Sequence, residues 1–197
     1  MPVAACILLL VLVSRGLEGG VAKKAGKNYW AKNLKTWLDA PLPDIGRLDV
    51  SVKLDPGRHW LSSAGTLTLV NGLDTTLVQV PLTGGLHWQH VSWTLNGVAY
   101  EPEDSQHLYI FTPPQALQRG DSMTVGWKFD GRFPGGVTKN GGNTDEFILP
   151  SGIVLTAFQP SFLPVLGFME GVGETKDNTT EARRHARDYW KGITRAS

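Results

Sequence analysis

The chain is short of cysteine, of net charge and of long apolar runs. Its single cysteine, Cys6 among 197 residues, excludes an intrachain disulfide and a cysteine-based zinc cage. Set in an apolar stretch, it reads as a small apolar filler. Nineteen basic residues against 18 acidic leave a net charge of +1, so no global field points to nucleic acid, and none is expected as a partner. The five histidines (His59, His87, His90, His107 and His185) include no i, i+4 pair with an intervening glutamate, the pattern a helical zinc site needs. His87 and His90 stand three apart, which in a strand sends them to opposite faces. Also missing are a Gly-x-Ser-x-Gly elbow and a plausible cysteine nucleophile. The chain therefore carries no self-contained active site.

What is present favours a folded domain. A hydrophobic share of 41% excludes a disordered chain. Residues 1–13 (MPVAACILLLVLV) hold no charge but fall short of the roughly 20 residues of a spanning helix. Three readings stay open: a signal-peptide core, a buried helix, or the tail of a truncated transmembrane helix. The flank that follows is basic (Arg15, Lys23, Lys24, Lys27, Lys32 and Lys35 against Glu18), which on the positive-inside rule would stay cytoplasmic. The same lysines could equally solvate a linker, so the side of the membrane stays open.

Residues 17–27 are rich in glycine and lysine without apolar periodicity, and are expected to be a linker. Over 28–40, Trp30, Leu34, Trp37 and Leu38 recur at helical spacing, predicting a short amphipathic helix whose stripe docks on the next domain or at a membrane interface. Pro41 and Pro43 stop it. From Gly46 the period becomes two. Leu48, Val50, Val52 and Leu54 alternate with polar residues, predicting a half-buried strand. Strands follow at 66–69, 76–82, 91–95, 98–100, 107–112 and 123–129, with turns at Pro56-Gly57, Asn71-Gly72, Asn96-Gly97 and Arg119-Gly120-Asp121. After a Gly-rich loop at 130–145, short strands are expected at 147–149 and 153–158, and a final helix begins at Thr179 or Thr180.

The fold class expected is all-β: an antiparallel sandwich with a short N-terminal amphipathic helix and a C-terminal helix. Its parts are an apolar segment at 1–16, a basic linker and helix at 17–45, the sandwich at 46–169, and a C-terminal loop and helix at 170–197. Seven tryptophans raise an alternative, an exported carbohydrate- or protein-binding module. Trp93 and Trp127 fall in phase with apolar neighbours and read as core, whereas Trp60 and Trp88 are less constrained.

The stretch RLDVSVKLDPGRHWLSSAGTLTLVNGLDTTLVQVPL (47–82) resembles the opening of the N-terminal β-domain of aminopeptidase N-like zinc metallopeptidases. There too a strand ends in Asp-Pro, and a Gly-led strand of alternating Leu and Thr closes on Asn. LQRGDSMTVGWKFDGRF (117–133) is similar to that domain's L-x-x-Gly turn and next strand, and NTDEFILPSGIVLTAFQPSFLPVLGF (143–168) to the segment at the cleft edge. Residues 1–44 share the order of a membrane-bound subgroup fused to an ABC-type permease: last spanning helix, basic linker with aromatic helix, Pro-rich entry.

The resemblance implies a non-catalytic domain that walls a peptide cleft and docks the catalytic domain of the same polypeptide. Membrane association through the N-terminal segment and peptides as a further partner are also implied. The family's His-Glu-x-x-His helix and Gly-x-Met-Glu-Asn strand belong to the next domain and are not in this chain, so zinc is expected there and no cofactor here. The family's Thr-Gln-x-Glu segment, which meets the substrate amine, has its counterpart at Thr156-Ala157-Phe158-Gln159. Thr156 and Gln159 are therefore the candidate substrate-binding residues. Ala157 replaces the family Gln and neutral Gln159 the carboxylate, which gives up the Coulomb attraction to an ammonium.

Overall fold

The computed structural model describes residues 20–133, 147–155, 160–169 and 172. Among the described residues, one α-helix, α1 (Gly20–Trp37), precedes eleven strands: β1 (Asp44–Asp55), β2 (Trp60–Val70), β3 (Val80–Thr83), β4 (Trp88–Leu95), β5 (Val98–Tyr100), β6 (Glu103–Asp104), β7 (Leu108–Phe111), β8 (Ser122–Arg132), β9 (Phe147–Leu149), β10 (Gly152–Val154) and β11 (Val165–Leu166). A five-stranded sheet in the order β1-β2-β8-β4-β5 faces a four-stranded sheet, β11-β3-β7-β6, and β9-β10 forms a separate hairpin. Every pairing between named strands is antiparallel. The architecture is the expected all-β sandwich.

Period-two alternation places the core. Leu61, Leu67 and Leu69 on β2 lie opposite Gly131, Val125 and Met123 on β8, and all three leucines are buried. β4 adds to the core, its Trp93 and Leu95 opposing Trp127 and Val125. Trp88 stacks on Phe129 at 3.8 Å, and Trp93 meets Tyr109 and Phe111 of the small sheet at 4.8 and 5.3 Å. Trp88, unconstrained by pattern, is thus a core residue. The indole N–H groups find partners: Trp127 donates to Ser63 Oγ at 3.1 Å and Trp88 to the Ser161 carbonyl at 3.0 Å. Ser63 in turn donates to the Phe162 carbonyl at 2.5 Å, so the segment at 161–163 is pinned over the large sheet. Gly65 lets the Trp127 ring lie across β2, because a Cβ there would sit 2.5 Å from the ring.

Turn chemistry sets the registers. Asn96 and Gly97 both have positive φ, 51° and 81°, which matches the twist of the β4-β5 hairpin. Asn71 is buried and fully engaged: its amide donates to the Thr75 and Leu117 carbonyls (2.9 and 2.8 Å), and its oxygen accepts from Leu73 N–H at 3.0 Å. Pro56 opens a short 3-10 turn, Pro56–Arg58, with the Asp55 carboxylate accepting from Arg58 N–H.

The structure changes several expectations. The helix begins at Gly20 rather than after Lys27, so most of the expected linker is helical. Its buried face is centred on Tyr29, Trp30 and Asn33, about one residue from the Trp30-Leu34-Trp37-Leu38 stripe, because polar Asn33 finds a buried partner. The third strand is Val80–Thr83, with Leu77 held only in an isolated bridge to Leu117. Finally, β1 is not half-buried. The residues of β1 up to Leu54 are exposed on both faces, since the small sheet does not extend beneath this edge strand. The loop expected at 130–145 begins later, since residues 130–132 belong to β8; the rest of it from 134, the apolar segment at 1–16 and the C-terminal helix lie outside the described residues.

The small sheet is covered twice. Val80, Leu82, Tyr109 and Phe111 join the core against the large sheet, while Leu108 packs with Tyr29 and Val172 on the other side. This explains the short, continuously buried strands VPLT and LYIF. Helix α1 is docked there by polar as well as aromatic contacts. Tyr29 Oη donates to Thr83 Oγ1 (2.7 Å), which donates to the Gly167 carbonyl (2.6 Å). Asn33 and Ser105 exchange two 2.7 Å hydrogen bonds. Tyr29 also stacks on Phe168 at 4.9 Å.

Candidate functional site

The candidate functional surface is the uncovered inner face of β1. In an antiparallel pair, residues directly opposite share a face. Leu48, Val52 and Leu54 oppose Leu67, Ser63 and Leu61, all buried, and Val50 opposes Gly65. Ile45 opposes Leu69 beside a bulge at Ile45/Arg47. These five apolar side chains therefore continue the core face of the large sheet past the limit of the small one. They are 36–54% exposed.

The opposite face of β1 is polar and charged. Arg47 pairs with Asp49 at 2.7 Å, and the guanidinium holds the Asp49 carboxyl below the ordinary carboxylate range. A strand with one polar and one apolar face, uncovered on the apolar side and free along one edge, is a surface suited to another protein element. Alternation revealed the two faces but not what covers them. The signal that could have separated β1 from β2 is its position at the end of the strand order, which is a property of pairing.

The sequence-predicted substrate residues Thr156 and Gln159 lie outside the described residues. Their flanks are placed: β10 ends at Val154, and the chain resumes at Pro160, beside the Ser161 carbonyl that receives Trp88 Nε1. The histidines are separated. His59 Nδ1 lies 2.7 Å from the Ile148 carbonyl, and His90 pairs with Asp130 at 3.0 Å. His87 packs against Phe133, and burial lowers its pKa. Among the described residues no group of three or more His, Cys, Asp or Glu could hold a metal ion, so these residues do not fit a zinc site. Nor is any described helix long and apolar enough to cross a membrane.

No protein-family model matches the chain, and no curated protein matches it significantly. Solved structures do. Among those similar to it are M1 zinc metallopeptidases and an aminopeptidase. A mutant M1 zinc metallopeptidase of Deinococcus radiodurans, bound to a Tyr-Ser-Ala substrate, is 20% identical over 47% of this chain and 21% of its own, with a TM-score of 0.40. A two-domain M1 zinc metallopeptidase mutant with bound L-tryptophan is 19% identical over 51% and 23%, with a TM-score of 0.41. Legionella pneumophila aminopeptidase A in complex with aspartic acid is 18% identical over 62% and 13%, with a TM-score of 0.39. The chain thus spans less than a quarter of each of these proteins.

Proposed function

We propose that this chain is the non-catalytic N-terminal β-domain of a membrane-associated zinc aminopeptidase-like protein, walling the peptide cleft and docking the catalytic domain. The observation that carries the reading is the β1 face. The strand that opens the resemblance at 47–82 leaves five apolar side chains uncovered on the core side of the sheet. Burying such a face against a second domain is the ordinary way to satisfy it, at about 25 cal/mol per Å² removed from water. Zinc and the peptide-cleaving groups would come from that second domain. Attachment to a membrane, and to an ABC-type permease, rests on the order of segments in residues 1–44. A carbohydrate-binding alternative gains little support, since Trp88, Trp93 and Trp127 are buried in the core and Trp60, at the start of β2, is only partly exposed.

The test is a comparison of the 197-residue chain with the polypeptide encoded by the uninterrupted reading frame around it. The longer protein is expected to contain a His-Glu-x-x-His helix, bind one zinc and release amino acids from aminoacyl anilides, with the isolated chain inactive. Stoichiometric zinc and peptidase activity in the isolated chain, or a longer protein without that helix, would refute the reading.

A further inference from the structure

A second surface lies at the opposite edge of the large sheet. There the chain leaves β5 and crosses to β6, opening a groove of about 720 Å³ lined by Val91, Ser92, Trp93, Tyr100, Glu101, Asp104, Tyr109 and their small neighbours. The lining holds two carboxylates and no cation. Lys128, opposite Ser92 in the register, is not part of it. Glu101 makes no ion pair among the described residues, and Asp104 is engaged on one oxygen by His107 N–H at 2.7 Å.

Tyr109 is the independent observation. It lines the groove and is only 7% exposed, yet its hydroxyl has no hydrogen-bond partner among the described residues. Burial and the Asp104 carboxylate both keep that hydroxyl protonated. Tyr100 is held rigid, its hydroxyl donating to the Thr112 carbonyl and accepting from Thr112 N–H, and its ring stacked on Phe111. β5 pairs only with Trp93–Leu95, so Val91 and Ser92, which line the groove, have no strand partner on that side among the described residues.

We infer that this groove binds an extended peptide segment through an arginine side chain. Two carboxylates and an unpartnered hydroxyl match the donors of a guanidinium. The free edge of β4 suits the peptide backbone. Two carboxylates are too few for a bare metal ion here, and the buried Trp93 ring leaves no open platform for a sugar. The inference stands apart from the catalytic-domain reading and does not need it.

The experiment titrates the full chain by calorimetry with a blocked tetrapeptide containing one arginine, and with the same peptide carrying neutral citrulline. Saturable binding of the arginine peptide is expected, about tenfold or more weaker for the citrulline peptide, for Glu101→Gln/Asp104→Asn, and at high salt. Asparagine at 104 can still accept from His107 N–H, so the loop is preserved. Glu101→Gln alone, at an exposed position without partners, should weaken binding severalfold and serves if the double variant misfolds. Tyr109→Phe should weaken it by a smaller factor. Equal affinity for the two peptides, no saturation by the arginine peptide, or tight binding of a neutral oligosaccharide in the same groove would overturn the inference.

Discussion

At the residue scale, buried polar groups do the specifying. Tyr29 illustrates it. Its hydroxyl donates to Thr83 Oγ1 and accepts from Met169 N–H at 3.1 Å, in a site where burial pushes its pKa up to about 12. A tyrosine whose folded pKa lies above its unfolded value near 10 contributes stability that is fully present below pH 10. That contribution is lost as pH rises through 12. Denaturant midpoints are therefore expected to fall steeply between pH 10 and 12. Tyr29→Phe should lower stability at neutral pH by about 1–2 kcal/mol and flatten part of the alkaline fall. Tyr109, raised in the same direction, contributes to the same fall. Urea titrations of both proteins across that range check it; an unchanged alkaline slope in the variant would show that Tyr29 does not hold this proton. Trp30 Nε1 is the opposite case, buried without a partner among the described residues.

At the element scale, α1 and β1 make contrasting use of similar amphipathic patterns. α1 satisfies its inner face with Asn33 and Ser105 as well as with aromatics. Asn33→Ala should cost about 2 kcal/mol and speed amide exchange in α1 more than in β2 or β8, by hydrogen exchange with mass spectrometry. β1 leaves its inner face uncovered. Val52→Lys should therefore change stability little, by less than about 0.5 kcal/mol in urea titrations. A large loss of stability would mean that β1 is covered within the isolated chain. The residue opposite, Ser63, is buried and bonded to Phe162, so the boundary between covered and uncovered sheet falls between β1 and β2.

At the scale of the whole molecule, the two sheets are joined by a short list of aromatic side chains. Phe111 is fully buried and touches Trp93 and Tyr100 across the sheet interface. Phe111→Ala should cost about 3–5 kcal/mol, enough to unfold a marginal domain, whereas Ile153→Ala on the exposed hairpin should cost under about 0.5. Equilibrium denaturation followed by tryptophan fluorescence separates the two. Much of this architecture was legible beforehand: alternating Leu and Thr on β2, the Asn96-Gly97 hairpin and the prolines after α1 are local signals with local causes. The candidate surfaces were less so. Thr156 and Gln159 came from a resemblance and lie outside the described residues, while Glu101, Asp104 and Tyr109 are spread over a crossover and a strand with no shared motif. By itself the sequence determined the strand period and the turns, because those depend on neighbours a few residues away. Only the tertiary structure decided which alternating strand stays uncovered and which polar groups meet at the sheet edge. Both follow from strand order and layer size, which no local pattern encodes.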